Sequence, residues 1–236
     1  MTGVGSTAAV PASAAPAPAV RTRHWSDIAG SLAFAALAVW MVISAPQMSL
    51  ALIPVFAYEL AFAVAFLMRG QARSTLRGWR PRIAAYAGSF LIPAFLAFAN
   101  RMRPGWVASA MSVAPHAGHA LLALGAVLIL AGTFLSGWGL WYLRASVSLV
   151  PAARGLVTTG PYAFARHPLY AAYLLSYTGL VLQHPTPALA IACILWLAFT
   201  LARIHYEESV LERVFPEYDA YRARVGAFAP RITSVI

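Results

Sequence analysis

The apolar residues of this chain fall into six runs that are separated by polar segments. Most of the runs are long enough for a helix that crosses a hydrocarbon core of about 30 Å, although the fifth is short. We therefore predict an all-α fold, a polytopic membrane bundle of about six transmembrane helices with a C-terminal hairpin and tail. The predicted spans are residues 28–44, 48–68, 83–99, 118–143, 169–182 and 188–204.

The composition supports this interpretation and divides the chain. Hydrophobic residues make up 61% and charged residues only 10% of the sequence, whereas a soluble domain is about one quarter charged. Residues 1–24 are mostly Ala, Pro, Gly, Ser, Thr and Val with almost no large side chains, so we predict a disordered tail. Residues 25–143 form the N-terminal transmembrane helices, and residues 144–236 hold an irregular loop, a helical hairpin and a polar tail.

The arginines indicate how the helices are oriented. The chain has no lysine, and with six spans and both termini cytoplasmic, fifteen of its seventeen arginines are cytoplasmic. Only Arg101 and Arg103 fall outside, as the positive-inside rule requires. The formal net charge of +10 therefore reflects orientation in a membrane. We expect membrane lipids as partners and no nucleic acid.

The most irregular segment between apolar runs is residues 154–170. It contains a Gly160-Pro161 turn signal and an Arg166-His167-Pro168 step. Tyrosines accompany both breaks, and an apolar run follows at once. A loop this rich in polar and aromatic side chains is a candidate for chemistry.

The chain length after this loop predicts its partner. Thirty-six residues separate His167 from Arg203, which is one hairpin of two helices that each rise about 27 Å. The loop and residues 203–208 should therefore meet at the cytoplasmic interface. Arg203 and Glu207 are spaced i, i+4 and share a helix face, and Glu208 forms a second such pair with Glu212.

This combination of side chains suggests a ligand chemistry. A carboxylate and aromatic faces attract a cationic cofactor. Arg203 is suited to orient an anionic substrate group. A lipophilic part of the substrate can enter from the bilayer between the helices. Spacing and composition do not name a reaction.

At these residues the chain resembles the isoprenylcysteine carboxyl methyltransferase family of integral membrane enzymes, which groups with phospholipid methyltransferases. The resemblance covers roughly residues 140–230, and Pro216 stands where the family often has glycine. The matching pieces are Leu-Val-Thr-Thr-Gly-Pro-Tyr at 156–162, Arg-His-Pro-Leu-Tyr at 166–170, Arg203 with Glu207 and Glu208, and Phe215 to Tyr218 with Tyr221.

The resemblance implies a cofactor and residue roles. The cofactor would be S-adenosyl-L-methionine (SAM), held under the loop. Glu207 matches a carboxylate that contacts it, and Arg203 matches the arginine that addresses the substrate; both are assigned as catalytic. The segment 146–151 is similar to bacterial members, which implies a bacterial inner membrane. The remaining cofactor-lining positions are Leu156, Val157, Tyr162, His167, Pro168 and Tyr170.

The methyl acceptor remains open between oxygen, nitrogen and sulfur. A carboxylate is ionised at neutral pH and needs no base, so catalysis would rest on proximity and orientation. A thiol or an amine would require a base, for which Glu207, Glu208 or His205 is available.

Each of these residues also has a purely structural interpretation. Arg203 and Glu207 would then only anchor a helix end, and Tyr162 and Tyr170 would belong to an interfacial aromatic belt. His167 would act only through its backbone, ahead of a Pro168 that starts a helix. We further assign a structural role to the intramembrane Glu59 and no metal site to His116 and His119.

Two other functions compete with a methyltransferase. One is a membrane reductase that uses NADPH on sterol or lipid double bonds, since such enzymes resemble this family over a similar hairpin. The other is a non-catalytic membrane protein that serves as a scaffold or transporter. Cofactor binding separates the three, and the oligomeric state is not indicated.

Overall fold

The structure, a computed structural model, describes residues 25–44, 53–101 and 118–231. These residues are mostly helical. The predicted tail at 1–24, the predicted start of the second span and most of the predicted outer loop lie outside the described residues. The helices are α1 (Trp25–Ser44), α2 (Ile53–Met68), α3 (Trp79–Arg101), α4 (His119–Leu143), α5 (Pro168–Gln183), α6 (Pro187–Val214) and α7 (Tyr218–Arg224).

The prediction of an all-α fold needs one small correction. Strand β1 (Ser74–Thr75) pairs antiparallel with β2 (Ala152–Ala153). The arginine-rich loop after α2 and the loop after α4 lie side by side, and their exposed backbone groups are satisfied by pairing with each other. The two loops therefore occupy the same end of the bundle, called here the loop end.

Two of the predicted spans meet the requirements for crossing a membrane within the described chain. By length and composition, α4 and α6 are long and apolar enough. Helix α5 has 16 residues and rises only about 24 Å, less than the ~30 Å core. The six-span arrangement as a whole stays a prediction.

Helix α6 continues beyond the end of its predicted span. It has 28 residues, about 42 Å, which exceeds the hydrocarbon thickness by about two turns. Apart from Arg203, its charged side chains lie in residues 205–214, so this end is the part expected to project from the membrane. The predicted boundary at residue 204 is therefore a change of polarity and not a helix end.

The hairpin of α5 and α6 is defined by its prolines. Pro168 and Pro187 each stand at the first turn of their helix, where a missing N–H costs nothing. Before α6, the buried Thr186 caps the helix, because its hydroxyl accepts from the N–H of Leu189 at 3.2 Å.

Helices α4 and α5 approach each other closely along a row of small residues. Gly125, Gly132 and Gly139 recur every seven residues on α4 and face α5. At Gly132 an added Cβ would lie 2.5 Å from the carbonyl oxygen of Ala172 and against the hydroxyl of Ser176. Only glycine lets the two backbones come this close, as in other membrane helix pairs.

We expect Gly132→Ala to lower the free energy of unfolding by about 1–3 kcal/mol, because the added methyl group meets backbone atoms that cannot move aside. Gly137→Ala on the same helix is the matched control. Its Cβ meets no atom within 4 Å, so this change should be neutral or stabilising by up to about 1 kcal/mol. Thermal unfolding in detergent measures both, and equal shifts for the two variants would contradict the packing.

The N-terminal helices complete the walls around the hairpin. Phe34 of α1 packs its ring 5.2–5.4 Å from the rings of Phe62, Phe66 and Phe90. Helix α3 lies along α6, where the indole N–H of Trp196 donates to the carbonyl of Gly88 at 2.9 Å. This bond fixes α3 beside α6.

Candidate active site

A cavity of about 300 Å³ opens between the helices at the loop end. This volume lies at the lower end of the range for small-molecule sites. The wall continues between α3, α4 and α5 as far as Leu96, Ile129 and Leu180. Its lining includes every residue that the sequence indicated for cofactor or substrate: Leu156, Val157, Tyr162, His167, Pro168, Tyr170, Arg203 and Glu207.

Arg203 is buried and joins three parts of the chain. Its Nε donates to Glu207 Oε1 at 2.9 Å, and its Nη2 donates to the carbonyl of Ser148 at 2.9 Å. Nη1 donates to Ser89 Oγ at 2.6 Å and to the carbonyl of Ala85 at 3.4 Å. These bonds use four of the five guanidinium N–H groups. Arg203 is therefore more than the anchor of a helix end.

Glu207 presents one oxygen to the cavity. Its Oε1 accepts from the hydroxyl of Tyr170 at 2.7 Å as well as from Arg203. No donor in the described part of the chain bonds to Oε2, and the side chain is 20% exposed. Tyr170 is buried in this network, with its ring centre 5.4 Å from the Arg203 guanidinium. Tyr170 is thus not a belt tyrosine, and the buried Tyr162 is not one either.

Aromatic rings continue from Tyr170 along one face of α5. Tyr173 and Tyr177 follow at ring-centre distances of 6.3 Å each. Trp196 of α6 meets Tyr177 edge-on at 4.7 Å. The three tyrosines are spaced i, i+3, i+7, a helical signal that the sequence analysis did not use. They extend the aromatic surface of the cavity away from the loop end.

A second carboxylate, Glu208, holds the Arg-His-Pro loop against α6. Its Oε1 lies 2.9 Å from Arg166 Nε and 2.9 Å from His167 Nε2. The predicted meeting of the loop with residues 203–208 is confirmed by these contacts. His167 is buried and uses its side chain here, so the interpretation in which only its backbone acts is wrong. Glu208 and His205 do not line the cavity.

The environment of Glu208 determines its charge. Partial burial raises the pKa of the carboxyl, but hydrogen bonds and positive charge from His167 and Arg166 outweigh burial and lower the pKa to about 2 from the usual 4.5. Because the folded pKa lies below the unfolded one, the stabilisation is complete above about pH 4.5. It is lost as the pH falls from there towards 2.

We expect Glu208→Gln to lower the thermal unfolding temperature at neutral pH and to remove part of its decline below about pH 4.5, because the variant has no carboxylate to protonate. Glu217→Gln is the matched control, since Glu217 is exposed. Unfolding scans in detergent from neutral to acid pH measure the difference. Parallel curves for wild type and Glu208→Gln would contradict the assigned role.

The tail after α6 closes over the loop from outside. The backbone N–H groups of Arg166 and His167 donate to the carbonyls of Gly226 and Ala227, both at 2.9 Å. The hydroxyl of Tyr221 donates to the carbonyl of Tyr162 at 2.6 Å. Burial, followed by the opposing effects of Arg166 and Glu208, raises the pKa of Tyr221 to about 12, so it keeps the proton that this bond requires.

The turn at Gly160 requires glycine on two grounds. Its φ is +60°, a left-handed conformation that costs other residues energy. An added Cβ would also lie 2.5 Å from the ring of Tyr142. The short 3₁₀ turn from Gly160 to Ala163 follows and positions Tyr162 in the cavity wall.

The sequence did not predict several of the groups that form or support the cavity wall. Arg166 and Glu208 stood inside recognised motifs, but their pairing depends on the tertiary fold. Ser148 had no signal, since its role is to offer a backbone carbonyl. Ser89 lies on α3, where no motif was recognised. Its only connection with the cavity in the sequence is that it shares a helix face with Pro93 and Leu96.

Most of the elements that form this cavity match a known protein family. Residues 118–218 match the phospholipid methyltransferase family. The matched region includes α4, the loop, α5, α6 and the start of α7, which together supply all eight residues that were indicated from the sequence. The resemblance to this family is therefore confirmed for the C-terminal part of the chain. Helices α1, α2 and α3 lie outside the match.

The similar proteins include metal resistance proteins of bacteria and O-methyltransferases of plants. The nickel-cobalt-cadmium resistance protein NccN of Alcaligenes xylosoxydans xylosoxydans is 46% identical over 81 residues, which cover 33% of this chain and 37% of that protein. The cobalt-zinc-cadmium resistance protein CzcN of Cupriavidus metallidurans is 44% identical with the same coverage. Protein-S-isoprenylcysteine O-methyltransferase B of Arabidopsis thaliana is 38% identical over 78 residues, 32% of this chain and 39% of that protein.

These similarities are confined to a segment. The chain spans about two fifths of the length of these relatives. Among the described residues, no three His, Cys, Asp or Glu side chains are grouped so that they could hold a metal ion. His116 and the side chain of Glu59 lie outside the described part of the chain.

Proposed function

We propose that this protein is an integral membrane methyltransferase that uses SAM to methylate a lipophilic small molecule or lipid, with a carboxylate as the candidate acceptor. The observation that carries the proposal is the unshared Oε2 of Glu207. Glu207 lines a cavity whose wall includes the loop and hairpin that match the phospholipid methyltransferase family.

The residues around Glu207 fit a cationic cofactor. Arg203 and Glu207 form a neutral pair, and Oε2 still offers an acceptor for a positively charged donor. The ring of Tyr170 lines the same wall, and aromatic faces attract cations. When bound, SAM supplies an electrophilic methyl group on a sulfonium centre, which an acceptor atom can take in line.

Six further residues would enclose the cofactor. Leu156 and Val157 would cover it from the loop, and Tyr162 would close the side nearest the tail. His167 and Pro168, held by Glu208, would fix the start of α5. Tyr170, through its bond to Glu207, would keep the carboxylate in one rotamer. These residues would orient the cofactor and exclude water. Such positioning lowers the barrier, because the reacting atoms are already held close together.

The substrate would approach from the other side of Arg203. Phe34, Phe66 and Leu96 contribute apolar wall between the helices, which suits a lipophilic chain that enters from the bilayer. We place both termini and the site on the cytoplasmic side of a bacterial inner membrane, as the distribution of arginines favours.

The three candidate bases differ in whether they line the cavity. Of Glu207, Glu208 and His205, only Glu207 lines the cavity, and Glu208 is engaged by Arg166 and His167. A thiol or amine acceptor would therefore depend on Glu207, which we assign to the cofactor. A carboxylate acceptor needs no base, and its oxygen would form the new C–O bond while the C–S bond breaks towards sulfur.

Methyl transfer from labelled SAM tests this proposal. The purified protein in lipid nanodiscs is offered dodecanoate, dodecylamine and dodecanethiol, which share one chain and differ in the acceptor atom. We expect label in at least one product. The NADPH-dependent reductase predicts no transfer and oxidation of NADPH with an unsaturated lipid. A scaffold predicts neither, and either of these two results would refute the proposed activity.

A further inference from the structure

Ser89 lies on α3, outside the part of the chain that matches the methyltransferase family. Its side chain is half-buried and lines the cavity. Its Oγ accepts from Arg203 Nη1 at 2.6 Å, a short bond to a charged donor. The helix that no family motif covers therefore contacts the residue to which substrate recognition is assigned.

The hydroxyl proton of Ser89 has no acceptor within the described residues. A serine or threonine inside a helix can donate to the carbonyl four residues earlier. Ser136 and Thr133 do so at 2.8 Å, to Gly132 and Ile129 respectively. Ser89 makes no such bond and instead accepts from Arg203. Its own O–H is therefore available to a group in the cavity.

Arg203 has only one N–H left for a ligand. Glu207, Ala85, Ser89 and Ser148 take the other four. Arg203 alone therefore cannot form bidentate hydrogen bonds with a substrate carboxylate unless one of these four bonds breaks. The donor that remains beside it is the Ser89 hydroxyl.

We propose that Ser89 is a substrate-binding residue, whose hydroxyl joins the last N–H of Arg203 to bind the carboxylate of a lipophilic acid. This rests on the proposed function and names its substrate class. Two adjacent donors require acceptor oxygens, which a carboxylate provides and an ammonium group does not.

The face of α3 below Ser89 supports the lipophilic part of this assignment. Pro93 and Leu96 follow at i+4 and i+7 and line the same cavity. On the opposite wall, Tyr173, Tyr177 and Leu180 run in the same direction along α5. From Ser89 to Leu96 the helix rises about 10 Å. A chain attached to a carboxylate at Ser89 would lie along this largely apolar channel, pointing away from the loop end.

The test compares Ser89→Ala with Ser136→Ala, which removes a hydroxyl from the same cavity that is already satisfied by its own helix. Dodecanoate is the acceptor probe, and SAM binding is measured separately by calorimetry. We expect Ser89→Ala to raise the KM for dodecanoate by about 10- to 100-fold, the value of one hydrogen bond to a charged group. The Kd for SAM should be unchanged, Ser136→Ala should behave as wild type, and Ser89→Thr should restore the KM.

Several results would overturn the inference. An unchanged KM in Ser89→Ala would show that Ser89 does not contact the substrate. A loss of SAM affinity by the same factor as the rise in KM would show that Ser89 only holds Arg203. If the wild type methylates dodecylamine but not dodecanoate, the carboxylate substrate class is refuted. The proposed methyltransferase activity is then still supported. Absence of SAM binding in wild type would instead refute the proposed function itself.

Discussion

Glu207→Gln is expected to weaken SAM binding by about 100-fold. The glutamine side chain has the same shape and can still accept from Tyr170 and Arg203, but it removes the negative charge that offsets Arg203. A bound cation would then face an uncompensated guanidinium, and disturbing a buried charge pair costs about 2–5 kcal/mol in binding. Calorimetric titration of SAM into the purified protein measures the change.

Glu212→Gln provides the matched control for this variant. Glu212 lies on the same helix and pairs with Arg222 at the surface, away from the cavity. The SAM affinity of Glu212→Gln should equal that of wild type. If Glu207→Gln also keeps wild-type affinity, Glu207 does not contact the cofactor, and the assignment of its Oε2 is wrong.

Arg203→Lys is expected to abolish measurable methyl transfer and to lower the free energy of unfolding by about 3 kcal/mol. Lysine keeps the positive charge beside Glu207, but one ammonium group cannot reach acceptors on α3, on α6 and in the loop after α4 with the geometry of a planar fork. At least one or two hydrogen bonds to a charged donor are lost, each worth about 1.5–3 kcal/mol.

Arg213→Lys tests whether this effect is specific. Arg213 is exposed in the last turn of the same helix, so a lysine there should leave both transfer and thermal unfolding unchanged. Wild-type transfer rates in Arg203→Lys would show that charge alone is sufficient at this position. The fork that connects Ser89, Ser148 and Glu207 would then have no part in the reaction.

The site is formed by two regions of the chain, one inside and one outside the segment that matches the methyltransferase family. The loop and hairpin carry the motifs and supply the residues assigned to the cofactor. Helix α3 carries no motif but supplies Ser89 and the carbonyl of Ala85 to Arg203. In the account proposed here, the family-matched part binds the methyl donor, and α3 helps to select what is methylated.

The sequence predicted the half of this site that depends on regular geometry. The distance from His167 to Arg203 fits one helical hairpin, and a helix has a fixed rise per residue, so the meeting of the two segments followed from counting. The i, i+4 spacing likewise placed Arg203 and Glu207 on one face. These predictions needed no knowledge of how the other helices pack.

The remaining contacts depend on packing between distant segments. The bond from Arg203 to Ser89 spans 114 residues, and no local pattern specifies which face of α3 meets α6. The β1–β2 pairing was missed because two-residue strands leave no periodicity. The carbonyls of Ala85 and Ser148 are backbone groups, so the identity of those residues gave no indication of their role.

Titration of SAM into the wild-type protein in lipid nanodiscs, with NADPH titrated in parallel, determines which cofactor the site binds. We predict saturable binding of SAM that is competed by S-adenosylhomocysteine and is about 100-fold weaker in Glu207→Gln, with no binding of NADPH. Binding of NADPH in place of SAM, or no binding of either, would contradict the methyltransferase account.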